Sequence, residues 1–135
     1  MSQDNVEVVR AMFERYSAND VDGFIGQSDP DVEWTAGAFE PIEGKPRIYR
    51  RHSGLRRFYA DTREAFADPR IDITELRDAG DMVLALGELN ARGSASGADF
   101  AAPMGWLFEL RDGKVMRGRD FLDQREALEA AGLSE

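Results

Sequence analysis

Cysteine is absent from the 135-residue chain, which rules out disulfides and thiolate chemistry. There is one histidine, His52, too few for a multi-histidine metal site, and neither a metal nor an organic cofactor is expected. Positive charge is scarce. Seventeen Lys and Arg stand against 26 Asp and Glu, leaving a net charge of −9 and a pI near 4.6. Such a chain repels polyanions, so no nucleic-acid partner is expected. No apolar run approaches the roughly 20 residues that cross a bilayer, so no membrane partner is expected either. The opening Met-Ser-Gln-Asp-Asn lacks a basic and apolar leader pattern, and the cytoplasm is the expected compartment. No repeat, low-complexity tract or linker interrupts the sequence. Residues 1–135 read as a single domain, with 42% hydrophobic residues to build a core.

Apolar spacing defines the elements. Val6, Val9, Phe13 and Tyr16 recur every three or four residues and predict a helix over 3–17. Asn19 or Asp20 caps a short second helix with Val21, Phe24 and Ile25 inward, ended by Ser28-Asp29-Pro30. Residues 31–36 read as a strand and 37–52 as a long loop with Gly37, Pro41, Gly44 and Pro46. Ser53 opens a third helix to about Ala67, its inner face formed by Leu55, Phe58, Tyr59, Thr62 and Phe66. Strands follow over about 70–78 and 82–92. In the second of these, Glu88, Asn90 and Arg92 share one parity, which suits a solvent or dimer face. Asp123 caps a closing helix through an Asp123…Glu126 capping box, and Gly132 ends it. A sheet with helices on one side is an α+β domain, and strong curvature leaves a pocket between the layers.

The hairpin over 99–123 organises the chain. Asp112-Gly113 suits a tight turn with positive φ at both residues. Strict alternation puts Met104, Trp106, Phe108 and Leu110 on one face of the first arm. On the second arm it groups Met116, Gly118, Asp120 and Leu122, with Arg117, Arg119 and Phe121 opposite. If the apolar set faces inward, Asp120 is a carboxylate among apolar groups, where loss of water raises its pKa toward general-base values. Tyr16 and Tyr49 offer hydroxyl donors to a ligand carbonyl. Core packing with the hydroxyl at the rim is the favoured reading for Tyr16, and Tyr49, where the loop approaches the third helix, is a candidate for the pocket mouth. His52 is the one side chain that titrates near neutrality without help and would partner Asp120 if turned inward, although a structural or exposed role just before the third helix is favoured. Phe13, Trp34, Phe58, Met104, Trp106, Phe108 and Met116 both fill the core and bound any pocket. Arg47, Arg50, Arg51, Arg56 and Arg57 read either as a mouth that attracts an acidic ligand or, as favoured, as a solvated face paired with acidic residues.

Several stretches carry a resemblance: Phe13-Glu-Arg-Tyr16, Asp29-Pro-Asp-Val-Glu-Trp34, Tyr49-Arg-Arg-His-Ser-Gly-Leu-Arg-Arg-Phe58, Asp78-Ala-Gly-Asp81, Leu110-Arg-Asp-Gly-Lys114 and the tail from Asp123 to Leu133. In this order the chain resembles the SnoaL-like branch of the nuclear transport factor 2-like superfamily over nearly its full length. The resemblance implies a curved antiparallel or mixed sheet wrapped around N-terminal helices. It also implies a cystatin-like cone with a central pocket, and a homodimer through the outer sheet face. Asp120 falls where SnoaL-type cyclases carry an acid/base Asp. Gly118 and Arg119 replace the preceding His and Trp of those enzymes, and Trp106 stands where they have a pocket His. Phe13 falls where ketosteroid isomerases place an oxyanion-hole Tyr, with Tyr16 one turn on, and Ala36 falls near their base. The Asp-Arg-Asp relay of the epoxide hydrolases has no counterpart.

Two main functions stay open. One is an isomerase, cyclase or hydrolase acting on a small apolar or aromatic molecule, with Asp120 as acid/base and Tyr16, Tyr49 or His52 orienting the ligand. The other is a non-catalytic carrier of such a molecule. A third reading, an interaction module working through the outer sheet face, requires a filled interior.

Overall fold

The computed structural model describes residues 2–38 and 46–133, so Pro41 and Gly44 of the expected loop lie outside the described residues. The elements are α1 (Ser2–Ser17), α2 (Val21–Gly26), β1 (Ser28–Ala36), β2 (Arg47–Arg50), α3 (Arg51–Ala65), β3 (Phe66–Ala79), β4 (Met82–Gly93), β5 (Asp99–Arg111), β6 (Lys114–Phe121) and α4 (Gln124–Ala130). The strands form one curved, open sheet in the order β2-β1-β6-β5-β4-β3. β1 and β6 run parallel and every other pair is antiparallel, so the fold is α+β with a mixed sheet. Register shifts in β1, β3 and the β5–β6 hairpin mark bulges, which bend and twist strands.

Local chemistry accounts for most boundaries. The Asp20 side chain accepts the Gly23 N–H at 2.9 Å and starts α2. The Asp123 side chain accepts the Arg125 N–H at 2.8 Å and starts α4, and Gly132 beyond its end adopts φ +74°. Asp112 and Gly113 take φ +54° and +75°, the paired positive values that the hairpin turn requires.

Three expectations are corrected. The stretch read as a loop over 37–52 contains β2, a four-residue edge strand on β1 with Tyr49 opposite Trp34. Helix α3 begins at Arg51 rather than Ser53. It also ends at Ala65, and the chain turns directly into β3, with Asp68 at φ +49° and Pro69 within a strand that starts earlier than expected. Finally, helices cover both faces of the sheet, not one. Helices α1–α3 pack on the concave face over the main core, which includes Val9, Met12, Leu55, Val83, Phe108 and Val115. Helix α4 lies on the other face over Leu84, Leu86 and Phe121, buried through Ala127, Leu128 and Ala131. Gly105 permits this approach, because a Cβ there would come within 2.5 Å of the Ala127 Cβ.

Elsewhere the outer face is charged. Glu88 and Arg92 are exposed, and Asn90 donates to Asp72 at 2.7 Å. No helix among the described residues is long and apolar enough to cross a membrane. None of their His, Asp and Glu side chains form a group of three able to hold a metal ion.

Candidate functional site

Strand β6 sits between β1 and β5, and its inward residues floor the concave side. Asp120 pairs in register with Trp106 on β5 and Ala36 on β1. Two places upstream, Gly118 lies opposite both Phe108 and Trp34. A Cβ on Gly118 would fall 2.5 Å from the Trp34 ring, so the missing side chain is what lets the indole lie flat across β6. From there the Trp34 Nε1–H donates to Asp120 Oδ2 at 3.1 Å. The Ala38 backbone N–H donates to Oδ1 at 2.7 Å.

Asp120 is 4% exposed. Burial raises its pKa above the usual carboxylate range. The N–H groups of Ala38, Trp34 and Gly37 and the charge of Arg119 pull in the opposite direction without cancelling it.

A cavity of about 240 Å³ opens in front of this carboxyl. Phe13, Trp34, Phe58, Met104, Trp106 and Phe108 form most of its apolar wall, joined by Met12, Phe24 and Leu89. The rings pack edge-on or tilted. Phe13 lies 5.0 Å from Trp106, and Trp34 lies 4.9 Å from Phe58 and 5.6 Å from Phe108.

Polar groups enter at two further points. Tyr16 lines the cavity with its hydroxyl 2.9 Å from Thr62 Oγ1. Thr62 gives its own proton to the Tyr59 carbonyl at 2.9 Å, so Tyr16 is the donor of the pair. Burial raises the Tyr16 pKa, opposed by Thr62 and by the Arg63 guanidinium, which stacks 5.1 Å from its ring. The second point is the mouth. There the Tyr49 hydroxyl donates to Asp61 Oδ2 at 2.7 Å, and Arg47 Nη1 reaches the same oxygen and the Tyr49 hydroxyl at 3.3 Å each. Desolvation and the Asp61 hydrogen bond raise the Tyr49 pKa.

Two expected site residues lie elsewhere. His52 does not reach Asp120. Its Nε2 sits 2.9 Å from the Ser28 carbonyl oxygen, where an N–H at that atom ties the start of α3 to β1. Met116 leaves the cavity wall because Glu109 pairs with Arg117 and Leu110 with Val115. The extra residue on β6 is a bulge at Met116. It resets the alternation, so Val115 takes the core position and Met116 places its sulfur 3.9 Å from Arg111 Nη2. Leu122, expected on the Asp120 face, lies past the strand end and is 53% exposed.

Asp61 was not expected on the cavity, Ala36 lines it where the resemblance put the isomerase base, and Arg47 was not separated from its neighbouring arginines. The signal for Asp61 was available: it falls three residues after Phe58 and one before Thr62, on the edge of the inner face of α3.

A curved mixed sheet packed against N-terminal helices is the architecture of nuclear transport factor 2-like, cystatin-fold proteins. Within that class the chain belongs to the SnoaL-like domain family, whose model matches residues 9–118. Among solved structures it is similar to an NTF2-like protein of unknown function from Burkholderia pseudomallei K96243. The two share 20% identity and a TM-score of 0.78 over 93% of this chain and 95% of that one. It is similar also to TerC, co-crystallised with polyporic acid, with 24% identity and a TM-score of 0.77 over 96% of this chain and 98% of that one. A protein from Jannaschia sp. CCS1 described as a SnoaL-like polyketide cyclase gives 20% identity and a TM-score of 0.77, over 99% and 95% of the two chains. No curated protein matches the chain.

Proposed function

We propose that the concave cavity holds a small, largely apolar aromatic molecule and that Asp120 moves a proton on it, in an isomerisation, cyclisation or hydrolysis. The observation that carries this reading is a carboxyl group 4% exposed, with its pKa raised, opening on a wall of aromatic rings and methionines. An acid or base works best when its pKa lies near the working pH, and burial shifts Asp120 in that direction. The Trp34 and Ala38 donors fix the plane of the carboxyl, which supports directed proton transfer.

Volume limits the guest. A cavity of about 150 Å³ holds benzene, and drug-sized ligands occupy roughly 300–1,000 Å³. At 240 Å³ the space suits one substituted ring or two fused rings. That TerC is crystallised with polyporic acid supports an organic guest for this architecture.

One observation favours the alternative of a carrier without chemistry. The hydroxyl protons of Tyr16 and Tyr49 go to Thr62 and Asp61, leaving Asp120 without a second polar group committed to the guest.

A thermal-shift screen of aromatic and polyketide-like compounds, with product analysis of each hit, separates the two. Conversion by the wild type that Asp120→Asn abolishes supports the catalytic reading. Hits recovered unchanged support the carrier. Conversion that survives in Asp120→Asn ends the assignment of Asp120.

A further inference from the structure

We propose that the guest carries an acidic oxygen group at one end, a carboxylate or an ionised phenol, and that Arg47 at the cavity mouth reads it. The inference rests on the reading of the cavity as a ligand site. Five arginines fall between positions 47 and 57 of a chain with net charge −9, and the fold sorts them. Along β2 the side chains alternate. Ile48 and Arg50 point outward, Arg50 pairing with Glu33 at 3.6 Å, while Arg47 and Tyr49 turn to the cavity. On α3, Arg56 pairs with Asp22 at 3.0 Å on the surface. Of the five, Arg47 alone lines the cavity.

Its guanidinium is held by one edge. Nη1 makes both contacts, to Asp61 Oδ2 and to the Tyr49 hydroxyl, and the Tyr49 hydroxyl gives its proton to the same Asp61 oxygen. The group also lies 5.9 Å from the Tyr49 ring centre. The other edge, Nη2 and Nε, has no partner among the described residues, and the side chain is 46% exposed. A planar edge of N–H donors, oriented from behind by a carboxylate, matches the geometry of a second carboxylate in front.

The deep end sets the direction of entry. Asp120 and the faces of the aromatic rings repel an anion, so an acidic group stays at the mouth while the apolar body occupies the interior. An ammonium guest would choose the opposite arrangement, against Asp120 and the rings.

The test is calorimetric titration of matched probes: benzoate against benzamide, 2-naphthoate against 2-naphthamide, and 2-naphthylmethylammonium. Wild-type protein is expected to bind at least one acid about tenfold or more tightly than its amide, the effect of one hydrogen bond to a charged group. Arg47→Gln should remove that preference, bringing acid and amide to within about twofold of each other. Arg47→Lys, which keeps the charge but loses the fork, should retain part of it. Equal affinity for acid and amide in the wild type, or an unchanged preference in Arg47→Gln, overturns the assignment of Arg47. So does tightest binding of the ammonium probe. Absence of binding by every probe overturns both this inference and the reading of the cavity as a ligand site.

Discussion

Ionisation of Asp120 is opposed by its loss of water, and the consequence for stability has a definite sign. In the unfolded chain the carboxyl titrates near 3.8, and in the folded protein it titrates higher. Between those two values the folded state binds more protons than the unfolded state, so stability falls as pH rises. The contribution is fully present below about pH 3.8 and is lost as pH passes the raised value. Urea unfolding of wild type and Asp120→Asn across this range should therefore show the wild type losing ground to the variant as pH increases, and a constant difference above it. A wild type that instead gains on the variant as pH rises would show a carboxylate held by its donors more strongly than burial opposes it. Asparagine also turns an NH2 toward either Trp34 or Ala38, leaving a buried donor unpaired at a cost of about 1–3 kcal/mol. Tyr16→Phe is a simpler change. It removes a hydroxyl that donates to Thr62, so a loss of about 1 kcal/mol in stability is expected, with turnover or ligand affinity nearly unchanged.

Among the elements, β6 couples shape to chemistry through a glycine. Gly118→Ala places a methyl group where the Trp34 ring lies, and that ring is 2% exposed with Phe108 and Phe58 beside it. A destabilisation of about 1–3 kcal/mol is expected in thermal or denaturant melts, accompanied by loss of the Trp34–Asp120 hydrogen bond. Helix α4 provides the contrast. Leu128→Ala should cost about 2–4 kcal/mol yet leave ligand affinity intact, since α4 lies on the face away from the cavity.

The elements also mark how far the sequence could be read. Alternation along β5 correctly grouped Met104, Trp106, Phe108 and Leu110. The turn alone would set Asp120 opposite Gly105, and the one-residue bulge at Met116 is what brings it opposite Trp106. The same alternation failed at Met116, where a bulge without a glycine or proline to announce it shifts the register by one. Strand β2 was hidden because Arg-Ile-Tyr-Arg is short, at a sheet edge and next to prolines and glycines. Its strand character comes from pairing with β1 rather than from local preference. The side of the sheet taken by α4 was unreadable for a related reason. Leu84, Leu86 and Phe121 sit at positions of outward parity, and only the tertiary arrangement shows what covers them.

For the molecule as a whole, one sheet serves two cores, and the concave one contains the cavity. A guest that enters the concave side binds the folded state alone, so it stabilises by mass action. At a ligand concentration one hundred times Kd the gain is about 2.7 kcal/mol, which for a domain of this size raises Tm by several degrees. Ala36→Leu, opposite Asp120 across β1 and β6, should abolish that response by occupying the space, with little change in the melting of the free protein. An undiminished ligand-induced shift in the variant would place the guest elsewhere.

The bond between Trp34 and Asp120 also equips the protein with a spectroscopic reporter at its own centre. The indole proton shared with that carboxylate should resonate downfield in a proton–nitrogen NMR correlation spectrum, and Trp34→Phe would identify the peak among the signals of the two tryptophans. Its chemical shift should then trace a titration curve for one buried acid, read without a substrate or an assay.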